Sequence, residues 1–177
     1  MNLHAATFAT PCGPFSVAVN SSGAVVATAF GDLPRLATRL KPICHLISDK
    51  PALFIGVKRE VDAYFAGKLR QFTVPLAAGG TAFQHRVWSA LVAIPYGETR
   101  SYGQLAADIG NPGASRAVGR ANATNPICLL VPCHRVIGAD GSLTGFAFGE
   151  DIKRRLLILE GAIPADLSFA PGARPVS

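Results

Sequence analysis

Apolar and polar positions alternate in the first part of the chain and then shift to a period of three to four. Residues 15–19 (Phe-Ser-Val-Ala-Val) alternate, Asn20-Ser21-Ser22-Gly23 is a turn cluster, and an apolar, β-branched run resumes over 25–30. Together these predict a β-hairpin. From Pro51 the spacing changes. Leu53, Val57, Val61, Tyr64 and Phe65 fall on one face of a helix over 51–66 that ends near Gly67. Residues 71–76 predict a short strand, and the small residues at 76–80 a linker.

The second half is patterned for helices. Thr81 can cap a helix carrying Phe83, Val87, Trp88, Leu91 and Ile94 on one face, stopped by Pro95-Tyr96-Gly97. Ser101 can cap a second, with Tyr102, Leu105, Ala106 and Ile109 as its apolar positions. A Gly/Pro turn at 110–113 leads to a third helix over 114–123. Helices 102–109 and 114–123 have the outline of a helix-turn-helix. After Asn125-Pro126 the apolar run 127–131 reads as extended and leads into Pro132-Cys133-His134-Arg135-Val136. A Gly-rich turn region spans 138–149. A last helix over 150–160 ends at Gly161, a glycine suited to the left-handed position after a helix. The fold class is α+β, with units at 1–80 and 81–163 and a flexible tail over 164–177.

Composition narrows the class. Hydrophobic residues are 49% of 177 and charged residues 16%, enough apolar surface for a packed core. No apolar run approaches the ~20 residues of a membrane-spanning helix, and the N-terminus has no secretory pattern. The four cysteines (Cys12, Cys44, Cys128, Cys133) lack paired or metal-ligand spacing, so neither a disulfide framework nor a metal is expected, and a reducing, cytoplasmic location is. The net charge of +6 suits a polyanion, but equally plain solubility.

Two features carry chemistry. The 114–123 helix bears Ser115, Arg116 and Arg120 among small residues, which would let it approach another surface closely while arginines meet phosphates or enter a base stack. Cys133 is followed by His134 and Arg135. A free thiol is only a few per cent ionised at neutral pH and needs a base or positive surroundings to become a strong nucleophile. Neighbours on an extended segment point apart, so His134 would reach the sulfur through a turn or a water. Asn125 and Glu160 could orient such a network. On these grounds alone, a nucleophile and a buried structural thiol are equally good readings of Cys133.

Four stretches together resemble the O6-alkylguanine-DNA alkyltransferases: F-Q-H-R-V-W-S-A-L-V-A-I-P-Y-G-E-T-R-S-Y at 83–102, A-S-R-A-V-G-R-A at 114–121, N-P-I-C-L-L-V-P-C-H-R-V-I-G at 125–138 and L-E-G at 159–161. The resemblance covers nearly all of 81–161; the first unit matches in layout, as a small ribonuclease-H-like α/β domain. It implies DNA repair by irreversible, single-turnover transfer of an alkyl group from O6-alkylguanine, and possible action on O4-alkylthymine, with no cofactor. Cys133 would be the acceptor, with its base His134 acting through water and Glu160 orienting that base. Asn125 would hold the segment, and Tyr102 would donate to the departing guanine. Double-stranded DNA would be bound by a monomer through its minor groove by Ala114, Ser115, Arg116, Arg120 and Arg135, with Arg116 replacing the extruded nucleotide. Val136, Phe146, Ala147 and Phe148 would line the base pocket. Phe146 and Phe148 stand where the family commonly has Tyr and Gly, so Phe148 is expected to add bulk beside the pocket. A non-catalytic relative that only binds damaged DNA, a Cys–His–Glu hydrolase and a DNA-binding regulator are the competing readings.

Overall fold

The computed structural model describes residues 1–47 and 49–165; most of the expected tail lies outside them. The chain opens with strand β1 (Asn2–Thr10), which turns at Pro11-Cys12 into β2 (Gly13–Val19) and then β3 (Val25–Phe30). Helix α1 (Leu33–Ala37) follows, its first turn capped by Asp32 accepting from the Arg35 N–H at 3.1 Å. A short β4 (His45–Ile47) pairs in parallel with β1, completing a sheet of order β3-β2-β1-β4. The predicted hairpin is β2–β3, in register Phe15↔Phe30 to Val19↔Val25.

A 3-10 turn (Pro51–Phe54) runs into α2 (Ile55–Phe65), which lays Val57, Val61 and Tyr64 on the sheet. The strand expected over 71–76 does not form; only Leu76 bridges to Val25. The reason is local: the buried Glu60 carboxylate accepts the N–H groups of Thr73 and Val74 at 2.9 and 3.3 Å, taking donors a ladder would need.

In the second half, α3 (Ala82–Val92) and α4 (Tyr102–Asp108) each begin with a reciprocal capping box, Thr81 with Gln84 and Ser101 with Gln104. Between them lies the two-residue β5 (Arg100–Ser101). Helix α5 (Ser115–Ala123) crosses α3, where Trp88 Nε1 donates to the Ala121 carbonyl at 2.9 Å. The chain then passes through a 3-10 turn (Cys133–Arg135) to β6 (Val136–Ile137), parallel to β5, and ends in α6 (Glu150–Leu159). One core runs through both halves, joining Phe15, Val25 and Tyr64 to Leu91, Ile127, Cys133 and Leu156. No helix among the described residues is long and apolar enough to cross a membrane.

The apolar run 127–131 departs from its extended reading. Val131 N–H donates to the Ile127 carbonyl at 2.9 Å, and Leu129 takes a left-handed φ of +72°. A branched residue in that region is strained and must be held there by its surroundings. Two clamps do so. Asn125 Nδ2 donates to the Val131 carbonyl at 3.0 Å while its Oδ1 accepts from Ile127 N–H at 3.0 Å. From the sheet, Thr28 N–H donates to the Pro126 carbonyl and Thr28 Oγ1 to the Cys128 carbonyl, both at 2.8 Å.

Candidate active site

Cys133 begins the 3-10 turn that follows this clamped loop, and the turn sets the directions of its neighbours. His134 and Arg135 swing to the same side, toward the end of α6. His134 Nε2 lies 2.8 Å from Glu160 Oε1, both side chains wholly buried. The same carboxylate accepts from Arg135 Nε and Nη2, each at 2.9 Å, and from the Tyr64 hydroxyl at 2.8 Å. Gly97 makes room for this end of α6: its φ is +84°, and a Cβ there would meet the Glu160 carbonyl at 3.0 Å.

Charge and burial settle the protonation states. Burial alone would raise the Glu160 carboxyl, but His134 and Arg135 hold it down at about 2, so it is ionised. Burial lowers the His134 imidazole more than Glu160 raises it, so the ring is neutral. A carboxylate can only accept, which places the single ring proton on Nε2. Nδ1 is therefore a bare lone pair, and it is buried with no hydrogen-bond partner among the described residues. An orphaned buried acceptor is costly unless it serves a purpose.

Cys133 is 6% exposed, and burial raises its pKa despite the lowering influence of Asn125, Lys153 and Arg39. At rest it is a neutral thiol, so ionisation belongs to the reaction and not to the waiting protein. Cys128 is likewise buried, its thiol pushed up to about 12, and its Sγ shares a hydrogen bond with Thr28 Oγ1 at 3.3 Å.

Lys153 is a functional candidate the sequence reading missed. Its side chain is fully buried on α6, and Nζ donates to the carbonyls of Val136 and Thr144, the latter at 3.2 Å. Burial lowers its pKa to about 8, partly opposed by the Cys133 thiol. It places a positive charge beside the sulfur and ties β6 to the loop over 143–149. Its position in α6 reads as a solvent-facing lysine; the one local hint is that it lies on the same side as Leu156 and Leu157.

Tyr102, at the start of α4, is half-buried, and burial together with the Cys133 thiol raises its hydroxyl. Its ring abuts Gly119 of α5, where an added Cβ would lie 3.7 Å from it. Arg116 and Arg120 of α5 are exposed, with Ala114 and Ser115 half-buried at its start. The arginine-bearing helix thus adjoins the tyrosine beside the thiol.

Two expectations are corrected, those for Arg135 and Phe148. Arg135 was placed at the DNA face but is 6% exposed, spending its donors on Glu160 and, at 2.7 Å, on the Ile94 carbonyl. Val136, expected beside the base pocket, is buried, and its carbonyl accepts from Lys153. Phe148 does not simply add bulk beside a pocket: its ring docks on the N-terminal half, 5.8 Å from Phe30 and under the guanidiniums of Arg35 and Arg39. Phe146 joins this cluster, and Ala147 is exposed with its carbonyl accepting from Arg35 at 3.1 Å.

Comparison with known proteins gives consistent matches. Residues 82–162 match the family described as 6-O-methylguanine DNA methyltransferase, DNA binding domain, and residues 3–78 match its ribonuclease-like domain. A methylated-DNA–protein-cysteine methyltransferase of Mycobacterium bovis is 48% identical over 168 residues, covering 94% of this chain and 98% of the relative. The crystal structure of the Mycobacterium tuberculosis O6-methylguanine methyltransferase is similar with a TM-score of 0.79 and 46% identity, covering 94% of this chain and 98% of that one. A structure of Mycobacterium tuberculosis OGT in complex with DNA is similar with a TM-score of 0.79 and 47% identity, over 89% and 92% of the two chains.

Proposed function

The chain belongs to the 6-O-methylguanine DNA methyltransferase family, and from that premise we propose how its residues divide the work. The activity is DNA repair by alkyl transfer: the group on O6 of guanine passes to a protein cysteine, and the base is restored without excision. The acceptor is Cys133. The thioether it forms is not opened by thiol exchange, so each molecule acts once.

The observation that carries this assignment is the bare, buried Nδ1 of His134, whose tautomer Glu160 fixes. In the reaction the Cys133 proton passes to Nδ1 through one bridging water. The Lys153 ammonium supports the sulfur anion that results. The sulfur attacks the alkyl carbon in line with O6; the S–C bond forms as the C–O6 bond breaks, and the electron pair moves into the guanine ring. Tyr102 donates a hydrogen bond to that ring as it leaves. The proton on His134 returns to the guanine through solvent, which balances the exchange.

Alkylated O6 sits on the pairing edge of a stacked guanine while the acceptor thiol is buried, so the nucleotide must be turned out at a cost of about a few kcal/mol. Helix α5 lies in the minor groove, and Arg116 fills the vacated place. Its exposed arginines, its small residues and its nearness to Tyr102 support this placement, and a relative solved with DNA supports DNA binding. The protein acts as a monomer in the cytoplasm, where reducing conditions keep the acceptor thiol free. Residues 1–80 form a supporting unit and 81–163 the reacting one. The non-catalytic alternative is disfavoured because the acceptor cysteine is present. A burst assay with excess O6-methylguanine duplex tests the reading. One methyl group taken per chain, with no further turnover, is expected; continued turnover overturns it.

A further inference from the structure

The carboxylate that fixes the His134 tautomer is not held by the reacting half alone. His134 Nε2 and Arg135 Nη2 lie on Glu160 Oε1 at 2.8 and 2.9 Å, and Arg135 Nε lies on Oε2 at 2.9 Å. The remaining donor comes from the N-terminal half. The Tyr64 hydroxyl, on α2, donates to Oε1 at 2.8 Å across 96 positions of chain. Tyr64 is fully buried, its ring set among Phe65, Phe72 and Tyr96 with centroids 5.2, 5.5 and 6.3 Å away. Burial, and then the Glu160 charge, raise its hydroxyl well above the ordinary range, so it keeps its proton and donates.

Tyr64 and His134 therefore compete for one oxygen. A donor on Oε1 draws charge away from the imidazole, and an imidazolium loses more by this than a neutral ring does. We propose that Tyr64 is a positioning residue of the transfer reaction: by donating to Glu160 Oε1 it keeps His134 neutral, with Nδ1 free to take the Cys133 proton. The N-terminal half thereby sets the basicity of His134 through Glu160. The other titratable groups bearing on this pair are Arg135 and Lys153, which also lower the imidazole, and Tyr96, whose hydroxyl donates instead to the Leu159 carbonyl at 3.2 Å. The proposal rests on the reading of His134 as the base for Cys133.

The test is the acid limb of a single-turnover pH profile, where protonation of His134 stops transfer, read beside the NMR titration of the His134 ring. Wild type, Tyr64→Phe and Tyr96→Phe are compared. Tyr64→Phe keeps the ring and removes one donor from the carboxylate. Its limb and its imidazole midpoint should both move up by about half a pH unit, a roughly threefold gain in proton affinity, as expected when one of several hydrogen bonds to the anion is lost. Tyr96→Phe should leave both in place. An unmoved or lowered midpoint in Tyr64→Phe overturns the proposal, even where stability and rate fall at every pH. Should Tyr64→Phe fail to fold, the chain labelled throughout with 3-fluorotyrosine decides. Its more acidic hydroxyl donates more strongly, so the His134 midpoint should move down, and an unmoved midpoint overturns the proposal. A wild type whose imidazole titrates with no matching limb in the transfer profile overturns the underlying reading of His134 instead.

Discussion

His134 Nε2 and Glu160 Oε1 stand 2.8 Å apart with neither side chain exposed, and this one contact decides which nitrogen can accept a proton. It joins the 3-10 turn carrying the acceptor to the end of α6, and Arg135 and Tyr64 converge on the same carboxylate. The chemical centre is thus built on a buried network with four donors to one anion.

Removing that anion should be costly. Glu160→Ala leaves Arg135 as a buried, unpaired cation and frees the His134 tautomer. Loss of a partner in such a pair typically costs about 3–5 kcal/mol. Denaturant unfolding should show a midpoint shift of that size, and methyl transfer should fall by at least about a hundredfold, the scale of a lost general base.

Stability should depend on acid in a defined window. The Glu160 carboxyl is held at about 2 in the folded chain, below its ordinary 4.5. Its contribution is fully present above pH 4.5 and is lost as pH falls toward 2, because the unfolded chain binds the proton first. Glu160→Gln should remove this steepening from a plot of unfolding free energy against pH.

The rate of transfer should be level through neutral pH, where the raised Cys133 thiol is still protonated and His134 already neutral, and should fall above about pH 8. The fall reflects Lys153, whose own proton leaves at about 8 and takes the supporting charge with it. The two groups titrate as a pair, so the break belongs to both. Lys153→Met should lower the rate throughout and abolish the break; a single-turnover pH profile reads both effects.

Asn125→Ala should loosen the 127–131 turn. It strips partners from the Val131 carbonyl and the Ile127 N–H, both buried. An unsatisfied buried group costs about 1–3 kcal/mol, and with Leu129 held at a φ of +72° the turn should relax. Reduced stability together with slower transfer is expected, measured by thermal unfolding and by single-turnover rate.

Arg116→Ala should weaken transfer from duplex DNA by at least about tenfold while sparing transfer from the free alkylated base, since only the duplex leaves a gap to fill. Parallel rates on the two substrates read this directly.

Much of this was legible in the chain because its causes are local. The capping boxes at Thr81 and Ser101 and the turn between β2 and β3 are written in adjacent residues. Strands β1 and β4 and helix α1 were not read: β1 and β4 pair across some forty residues, as Leu3↔Leu46 shows. The 127–131 run looked extended because its apolar residues carry no turn signal; the bend is imposed by Asn125 and by Thr28, about a hundred positions away. Arg135 read as a surface cation because its partner, Glu160, lies on another element. Lys153 reads as a solvent-facing lysine for the same reason: its burial depends on β6 and the 143–149 loop.

The most direct test is peptide mapping by mass after incubation with duplex DNA bearing O6-methylguanine. One methyl group should appear on the peptide containing Cys133, and none in Cys133→Ser. An unmodified Cys133, or a methyl group on Cys12, Cys44 or Cys128 instead, contradicts the assignment of the acceptor.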